Sequence, residues 1–337
     1  MKTPPDIATF TITFIGILAL SFVLSSCSGI PLTGKAVAVI PQENGPSPKV
    51  FFCPKDDCIS KLIGQINAST TIHCAFFGID DEKLLDVLRE KSADGEVQLV
   101  VDEQNKASLD GIPHQKDTSS QYMHDKFCIL DMEKVITGSL NPTVSESSYN
   151  NNNLAMISSK YLAINYEQEF QELWSGHFGR GERVPYPIVG VNGRQLENYF
   201  CPEDRCGEKI ITQIAKAEKS ILMMSFSFTH EGIADALLRN AKAESKVLFE
   251  KRGSRGENSQ LSRLQDFGIS VKTDTNPRTM HHKVIIIDNR TVITGSMNPT
   301  ANGDRKNDEN IIIIHDSKIA RSFAREFYSL WYPESNG

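Results

Sequence analysis

Beyond residue 48 the chain alternates short apolar runs with amphipathic stretches, and it does so twice. In the first half a short strand ends at the Cys53-Pro54 turn, and Ile59 to Ile66 follows with helical spacing. The pattern then predicts an apolar strand over 71–77, a helix over 82–91 capped by Asp80, and a strand over 97–101. In the second half the same series reads as a helix over 209–217, a strand over 220–228, a helix over 232–242 capped by Thr229, and a strand over 246–250. Each half adds a hairpin partner (134–137; 291–294) and a buried apolar strand (154–157; 311–314), then closes with a helix. Alternation of this kind predicts an α/β fold with sheets covered by helices.

Residue identities show the doubling directly. Phe51-Phe52-Cys53-Pro54-x-Asp56-x-Cys58 recurs as Tyr199-Phe200-Cys201-Pro202-x-Asp204-x-Cys206. Glu169-Phe170-x3-Trp174 recurs as Glu326-Phe327-x3-Trp331, a shift of 157, whereas the Cys shift from 53 to 201 is only 148. The second copy therefore carries about nine extra residues, placed between Lys251 and Gly268, where Lys251, Arg252 and Arg255 offer positive charge to an anion or form an exposed polar loop. The domain reading is lobe 1 over 49–178, a linker over 179–196 rich in Pro and Gly, and lobe 2 over 197–333.

The N-terminus is a different material. An apolar run from Ile7 to Leu24 leads into Leu24-Ser25-Ser26-Cys27, which resembles a lipoprotein signal: 1–26 removed, Cys27 acylated, and 27–48 a flexible tether. The alternative is an uncleaved single-span signal anchor. Both readings put the body outside the cytoplasm on a membrane anchor. Hydrophobic residues at 39% and charged residues at 23% describe a globular chain able to build a core. The formal charge of −6 argues against a general nucleic-acid binder, although a local basic cleft remains compatible with it. In an oxidising compartment the pairs Cys53–Cys58 and Cys201–Cys206 read as short disulfides. A zinc site is disfavoured, because the spacing is not Cys-x2-Cys and no His lies close by. Cys74 and Cys128 sit in apolar strands and read as buried free thiols.

The chemistry sits in one repeated phrase. His124-x-Lys126-x4-Asp131 is followed by Gly138-Ser139-x-Asn141, and His281-x-Lys283-x4-Asp288 by Gly295-Ser296-x-Asn298, again 157 residues on. Residues i and i+2 of a strand share a face, so each His and Lys point into a common site. Asp131 and Asp288 lie past four apolar residues and read as structural. Ser139, Asn141, Ser296 and Asn298 supply neutral groups for binding phosphate or orienting the site. A phosphodiester needs its equatorial oxygens neutralised, an in-line nucleophile, and a proton for the leaving oxygen. Two Lys and two Asn can do the first, one imidazole the second, and the other imidazole the third. No metal or other cofactor is called for. His73, His230, His282 and His315 have no repeated partner and read as incidental.

The doubled phrase, with the strand Ser225-Phe226-Ser227-Phe228-Thr229 and the Glu-Phe-x3-Trp helices, resembles the phospholipase D superfamily over roughly 50–333. The resemblance implies two duplicated phospholipase D-like α/β sandwich lobes with a shared active site at their interface, a covalent phosphohistidine, and hydrolysis of phosphodiesters. It also directs attention to Glu309, 28 residues after His281, where the first copy has Asn152. A carboxylate here often orients a catalytic His in the family, so the expectation is that Glu309 orients His281 as nucleophile and that His124 is the acid. A solvated charge is the plain alternative for Glu309. Three substrate readings follow: phospholipid head groups, favoured by the membrane anchor; nucleic acid outside the cytoplasm; and a non-catalytic phosphate-binding protein, disfavoured by two intact phrases. A monomer suffices, since one chain holds both halves of the site.

Overall fold

In the computed structural model residues 39–333 are described. The signal peptide read at 1–26, Cys27, and the tether as far as 38 lie outside them. Lobe 1 runs β1 (Gln42–Glu43), β2 (Lys49–Cys53), α1 (Cys58–Asn67), β3 (Thr71–Phe76), α2 (Glu82–Asp94), β4 (Glu96–Asp102), β5 (His114–Asp117), β6 (Lys126–Leu130), β7 (Lys134–Gly138), α3 (Val144–Ser148), β8 (Asn152–Ser158) and α4 (Lys160–Trp174). Lobe 2 runs β9 (Ile188–Val191), β10 (Arg194–Cys201), α5 (Cys206–Ala215), β11 (Ser220–Ser225), α6 (Glu231–Arg239), β12 (Glu244–Phe249), α7 (Leu261–Asp266), β13 (Ser270–Thr273), β14 (Lys283–Ile287), β15 (Thr291–Gly295), α8 (Ala301–Arg305), β16 (Glu309–Ile314) and α9 (Ser317–Trp331).

The duplication is written into the sheets. One sheet has the order β2-β8-β7-β6-β3-β4-β5, and the other contains its counterpart β10-β16-β15-β14-β11-β12-β13. β3 and β4, like β11 and β12, are parallel, joined by a crossover helix, while β6–β7 and β14–β15 are antiparallel hairpins. α4 lies on β7, β3 and β6 of its own lobe and reaches β10 of the other, and α9 correspondingly reaches β2. The core is thus continuous between lobes: Phe127, Tyr166 and Phe170 of lobe 1 share a cluster with Phe200, Met224 and Phe323 of lobe 2.

Several expectations need adjustment. α2 is capped by Asp81, whose side chain accepts from Leu84 N, and α6 by His230, whose ring accepts from Ile233 N. Asp80 instead accepts from Val144 N at the start of α3. Cys74 and Cys128 are not free thiols. They are directly opposed on β3 and β6, with Cα atoms 4.1 Å apart, and form a third disulfide beside Cys53–Cys58 and Cys201–Cys206. Pairing register, invisible in a single strand's sequence, brings them together. The second half of the stretch read as linker 179–196 is sheet: β9 pairs with β10 and also with β1, which itself lies in the stretch read as tether. Val189 and Val191 are buried there, so the apolar alternation outweighs the turn residues beside it. β5 and β13 went unpredicted because they are short polar edge strands.

A buried polar seam joins the lobes under pseudo-twofold symmetry. Asn310 Nδ2 donates to Asp125 at 2.6 Å, and its Oδ1 accepts from Thr137 at 2.8 Å and Tyr166 at 3.2 Å. The mirror set is Asn153 with His282 at 3.1 Å and with Thr294 at 2.8 Å. His282 occupies the place that Asp125 holds in lobe 1, so it is a working part of the seam and not incidental. Asn310→Ala strands two buried hydroxyls and a buried carboxyl, and it is expected to cost about 2–4 kcal/mol in urea unfolding. Because the core crosses the seam, unfolding should remain a single transition; separate transitions for the two lobes would contradict this architecture.

Candidate active site

Each His-Lys pair stands where a central strand begins. Lys126 opens β6 and Lys283 opens β14, each two residues after its histidine. The histidine backbones are held by the opposite lobe: His124 N donates to Asp308 O, and His281 N to Asn151 O, both at 2.9 Å. Short parallel bridges, Met123 to Asp308 and Asn151 to Met280, complete this crossed anchoring. The next residue on each crossing segment is the one that faces the imidazole. Glu309 Oε2 meets His124 Nδ1 at 2.7 Å, and Asn152 Oδ1 meets His281 Nδ1 at 3.0 Å. The expectation that Glu309 orients His281 is therefore corrected. Folding places the start of β16 against the other lobe's histidine, so partnership runs across the interface and not along the chain.

A carboxylate that sequence reasoning missed completes the second pair. Glu146 of α3 places Oε2 3.1 Å from His281 Nδ1 and 2.6 Å from Asn152 Nδ2. Its only signal in the sequence was an acidic residue five positions after Asn141. Phe77 was also overlooked, and Phe226, noted in the sequence only within the stretch 225–229, was given no role in the site. Their rings meet His124 and His281 edge-on at 5.0 and 4.9 Å, and lie under the ammonium groups of Lys126 and Lys283 at 5.4 and 5.2 Å. Lys126 Nζ donates to His124 O at 2.5 Å and Lys283 Nζ to His281 O at 2.9 Å, which fixes both ammonium groups beside the rings.

The serines face inward to the orienting groups. Ser139 Oγ donates to Asn152 Oδ1 at 2.8 Å and accepts from Asn153 N; Ser296 Oγ accepts from Asn310 N at 2.9 Å. The glycine before each serine has φ 147° and 143°, and an added Cβ would lie 2.3 Å from Asn153 O or 2.2 Å from Asn310 O. Glycine is thus required for the strands to approach this closely. Asn141 and Asn298 each keep a buried side-chain oxygen without a protein partner. Asp131 and Asp288 lie at the far strand ends, where Asp131 accepts from Thr70 and Thr71 N and Asp288 from Glu218, Lys219 and Ser220 N.

Burial sets the protonation. It pushes the His281 imidazole down to about 4, with Glu146 pulling it back and Lys283 adding to the fall. It drives His124 down in the same way, helped by Lys126 and Lys283. Lys126 falls to about 8, and Lys283 falls well below the usual lysine range. The two carboxyl groups part company. Burial pushes Glu309 up to about 8 against the pull of Lys126. For Glu146 the burial is outweighed by His281, Asn152 and Lys283, which hold it far below the usual range. The two pairs thus differ in direction: Glu309 is moved toward holding its proton and Glu146 toward losing it. Buried, perturbed imidazoles whose carboxyl partners are shifted in opposite directions suit an acid–base site. Among the described residues no set of three His, Cys, Asp or Glu side chains converges to hold a metal ion.

Two α/β lobes each contribute a histidine and a lysine to one buried site, a doubled set of groups suited to phosphodiester chemistry. The sequence profile described as "Cardiolipin synthase, PLD-like domain" matches residues 62–174 and 210–331, one stretch per lobe. The chain belongs to this family, within the phospholipase D superfamily, and is a phosphodiesterase. A "Phospholipase D" from Rickettsia typhi is 37% identical over 147 residues, covering 43% of this chain and 72% of that protein. A "Mitochondrial cardiolipin hydrolase" from Xenopus laevis is 30% identical over 154 residues, covering 44% of this chain and 73% of that one. The phosphatidylserine synthase of Haemophilus influenzae shares the fold, with a TM-score of 0.62 at 11% identity over 83% of this chain and 86% of that one.

Glu309→Gln is expected to lower kcat/KM by ~10–100-fold, since His124 keeps a hydrogen bond but loses a partner able to give and take a proton. Asp288→Asn serves as the contrast. It should lower the melting temperature by a few degrees while leaving kcat/KM within about twofold of wild type. A large activity loss in a folded Asp288→Asn protein would place that carboxylate in the chemistry.

Proposed function

We propose that the protein hydrolyses phospholipid head groups by way of a covalent phosphohistidine, without a metal ion. The observation that carries this reading is the meeting of two His-Lys pairs in one buried site, with the Nδ1 of each imidazole held by groups of the opposite lobe so that its Nε2 is left for substrate. His281, neutral with Nδ1 facing Asn152 and Glu146, presents its Nε2 lone pair to phosphorus. His124, backed by Glu309, presents a proton. In the first step the His281 Nε2–P bond forms as the P–O bond to the leaving alcohol breaks, and His124 gives that oxygen its proton. In the second step His124 takes a proton from water, whose oxygen attacks phosphorus and releases His281. Lys126, Lys283, Asn141 and Asn298 face the phosphoryl oxygens throughout.

Lipid is favoured over nucleic acid on three grounds. The relatives named above include a phospholipase D and a cardiolipin hydrolase. Segments that carry site residues also carry exposed apolar groups: Tyr122, two residues before His124, and Val144 and Tyr149 on either side of Glu146 are 45%, 49% and 52% exposed. Aromatic side chains of this kind suit a membrane interface. The N-terminal apolar run and Cys27 fit a lipid-anchored protein outside the cytoplasm, and three disulfides fit the oxidising conditions found there.

The test is hydrolysis by the purified protein, with EDTA present, of phosphatidylcholine vesicles, single-stranded DNA, duplex DNA and bis-p-nitrophenyl phosphate. Turnover of the vesicles and the small diester is expected, with loss of at least ~10³-fold in His281→Ala and His124→Ala. Cleavage of DNA with no action on vesicles would replace lipid by nucleic acid. Loss of all activity in EDTA, restored by a divalent cation, would overturn the metal-free route.

A further inference from the structure

The repeat places Glu146 opposite Gly303, and Asn152 opposite Glu309, both 157 residues apart. Lobe 2 thus offers a long carboxylate from its strand and nothing from its short helix. Lobe 1 offers a short amide from its strand and a long carboxylate from its short helix. The exchange is spatially complementary. A Cβ on Gly303 would lie 2.4 Å from Asn298 O and 3.4 Å from Glu309 Oε1, so lobe 2 has no room for a helix-borne side chain beside Glu309. In lobe 1 the shorter Asn152 leaves that room, and Glu146 fills it, with 15% of its side chain exposed.

We propose that Glu146 is the positioning carboxylate of His281, delivered from α3 to replace the acidic group that Asn152 lacks. The inference deepens the reaction set out above and rests on it for its kinetic consequences. The His281 Nδ1–H faces two acceptors, Asn152 Oδ1 at 3.0 Å and Glu146 Oε2 at 3.1 Å. Asn152 cannot turn its amide toward the ring, because its Nδ2 donates to Glu146 and its Oδ1 accepts from Ser139. The amide therefore fixes the tautomer, and only Glu146 supplies negative charge. The other charged groups facing His281 are Lys283 of β14 and Lys126 of β6, both of which disfavour an imidazolium. Charge that builds on the ring as it bonds to phosphorus is stabilised by Glu146 alone among these neighbours.

Three proteins and two measurements decide the matter. Glu146→Gln keeps the shape and removes the charge. It should slow the phosphoenzyme burst with bis-p-nitrophenyl phosphate by ~10–100-fold while leaving KM within about threefold. Glu146→Gly combined with Asn152→Glu rebuilds lobe 1 in the image of lobe 2, and it should restore the burst to within about fivefold of wild type. Independently of turnover, the ¹⁵N resonances of His281 in labelled full-length protein should titrate at lower pH in Glu146→Gln than in wild type, because the group that favours the imidazolium is gone. A folded Glu146→Gln protein with wild-type burst and unshifted His281 titration would overturn the proposal and leave Glu146 a space-filling residue. Absence of any burst in wild type would instead sink the phosphohistidine reaction, and the titration alone would still decide whether Glu146 holds His281.

Discussion

Each imidazole of the doubled phrase is fixed by the lobe opposite its own. His124 is held through its backbone by Asp308 and through its ring by Glu309; His281 is held by Asn151 and by the Asn152–Glu146 pair. Beneath these contacts Asn310 and Asn153 tie Asp125 and His282 into the same interface. Buried polar groups that can be satisfied only across an interface fix its register closely, because any slip leaves donors and acceptors unpaired in a dry environment. The site and the lobe interface are consequently one structure. Neither lobe alone presents an oriented histidine.

Duplication and divergence are both visible in this arrangement. The sheets keep the same strand order, the hairpins the same register, and the Gly-Ser steps the same close approach to a neighbouring strand. The difference lies in which element bears the carboxylate. Moving it from strand to helix changes its setting. Glu309 is fully buried, and burial raises its proton affinity; Glu146 is engaged by His281, Asn152 and Lys283, which lower it. Symmetric histidines thereby acquire unlike carboxyl partners, a difference that suits the separate nucleophile and acid of the proposed two-step displacement.

Much of this was legible in the sequence, and the boundary is physical. Motifs separated by two residues on a strand share a face, so the His-Lys pairs could be placed without coordinates. The apolar strands and amphipathic helices followed from periodicity, and the Asp of each Cys-Pro-x-Asp-x-Cys turn was visible as a repeat; Asp56 and Asp204 accept from the backbone N of Phe52 and Phe200. Contacts across elements were not legible. Cys74 and Cys128 meet because β3 and β6 pair in one register. Glu309 passes over His281 for His124 because β16 begins at the far lobe's histidine. Glu146 carried no repeat signal at all, since its counterpart is a glycine. The polar edge strands β5 and β13 lack the apolar alternation on which strand recognition rests.

In the proposed reaction one phosphorus atom sits between His124 and His281, with the two rings on opposite sides. A crystal structure of the protein with vanadate, which adopts the five-coordinate geometry of phosphoryl transfer, tests it most directly. The expected result is vanadium bonded to His281 Nε2, His124 Nε2 within hydrogen-bond distance of the opposite apical oxygen, and Lys126 and Lys283 on the equatorial oxygens. Vanadate bonded to His124 would reverse the roles of the two rings, and vanadate bound away from both would contradict the shared site.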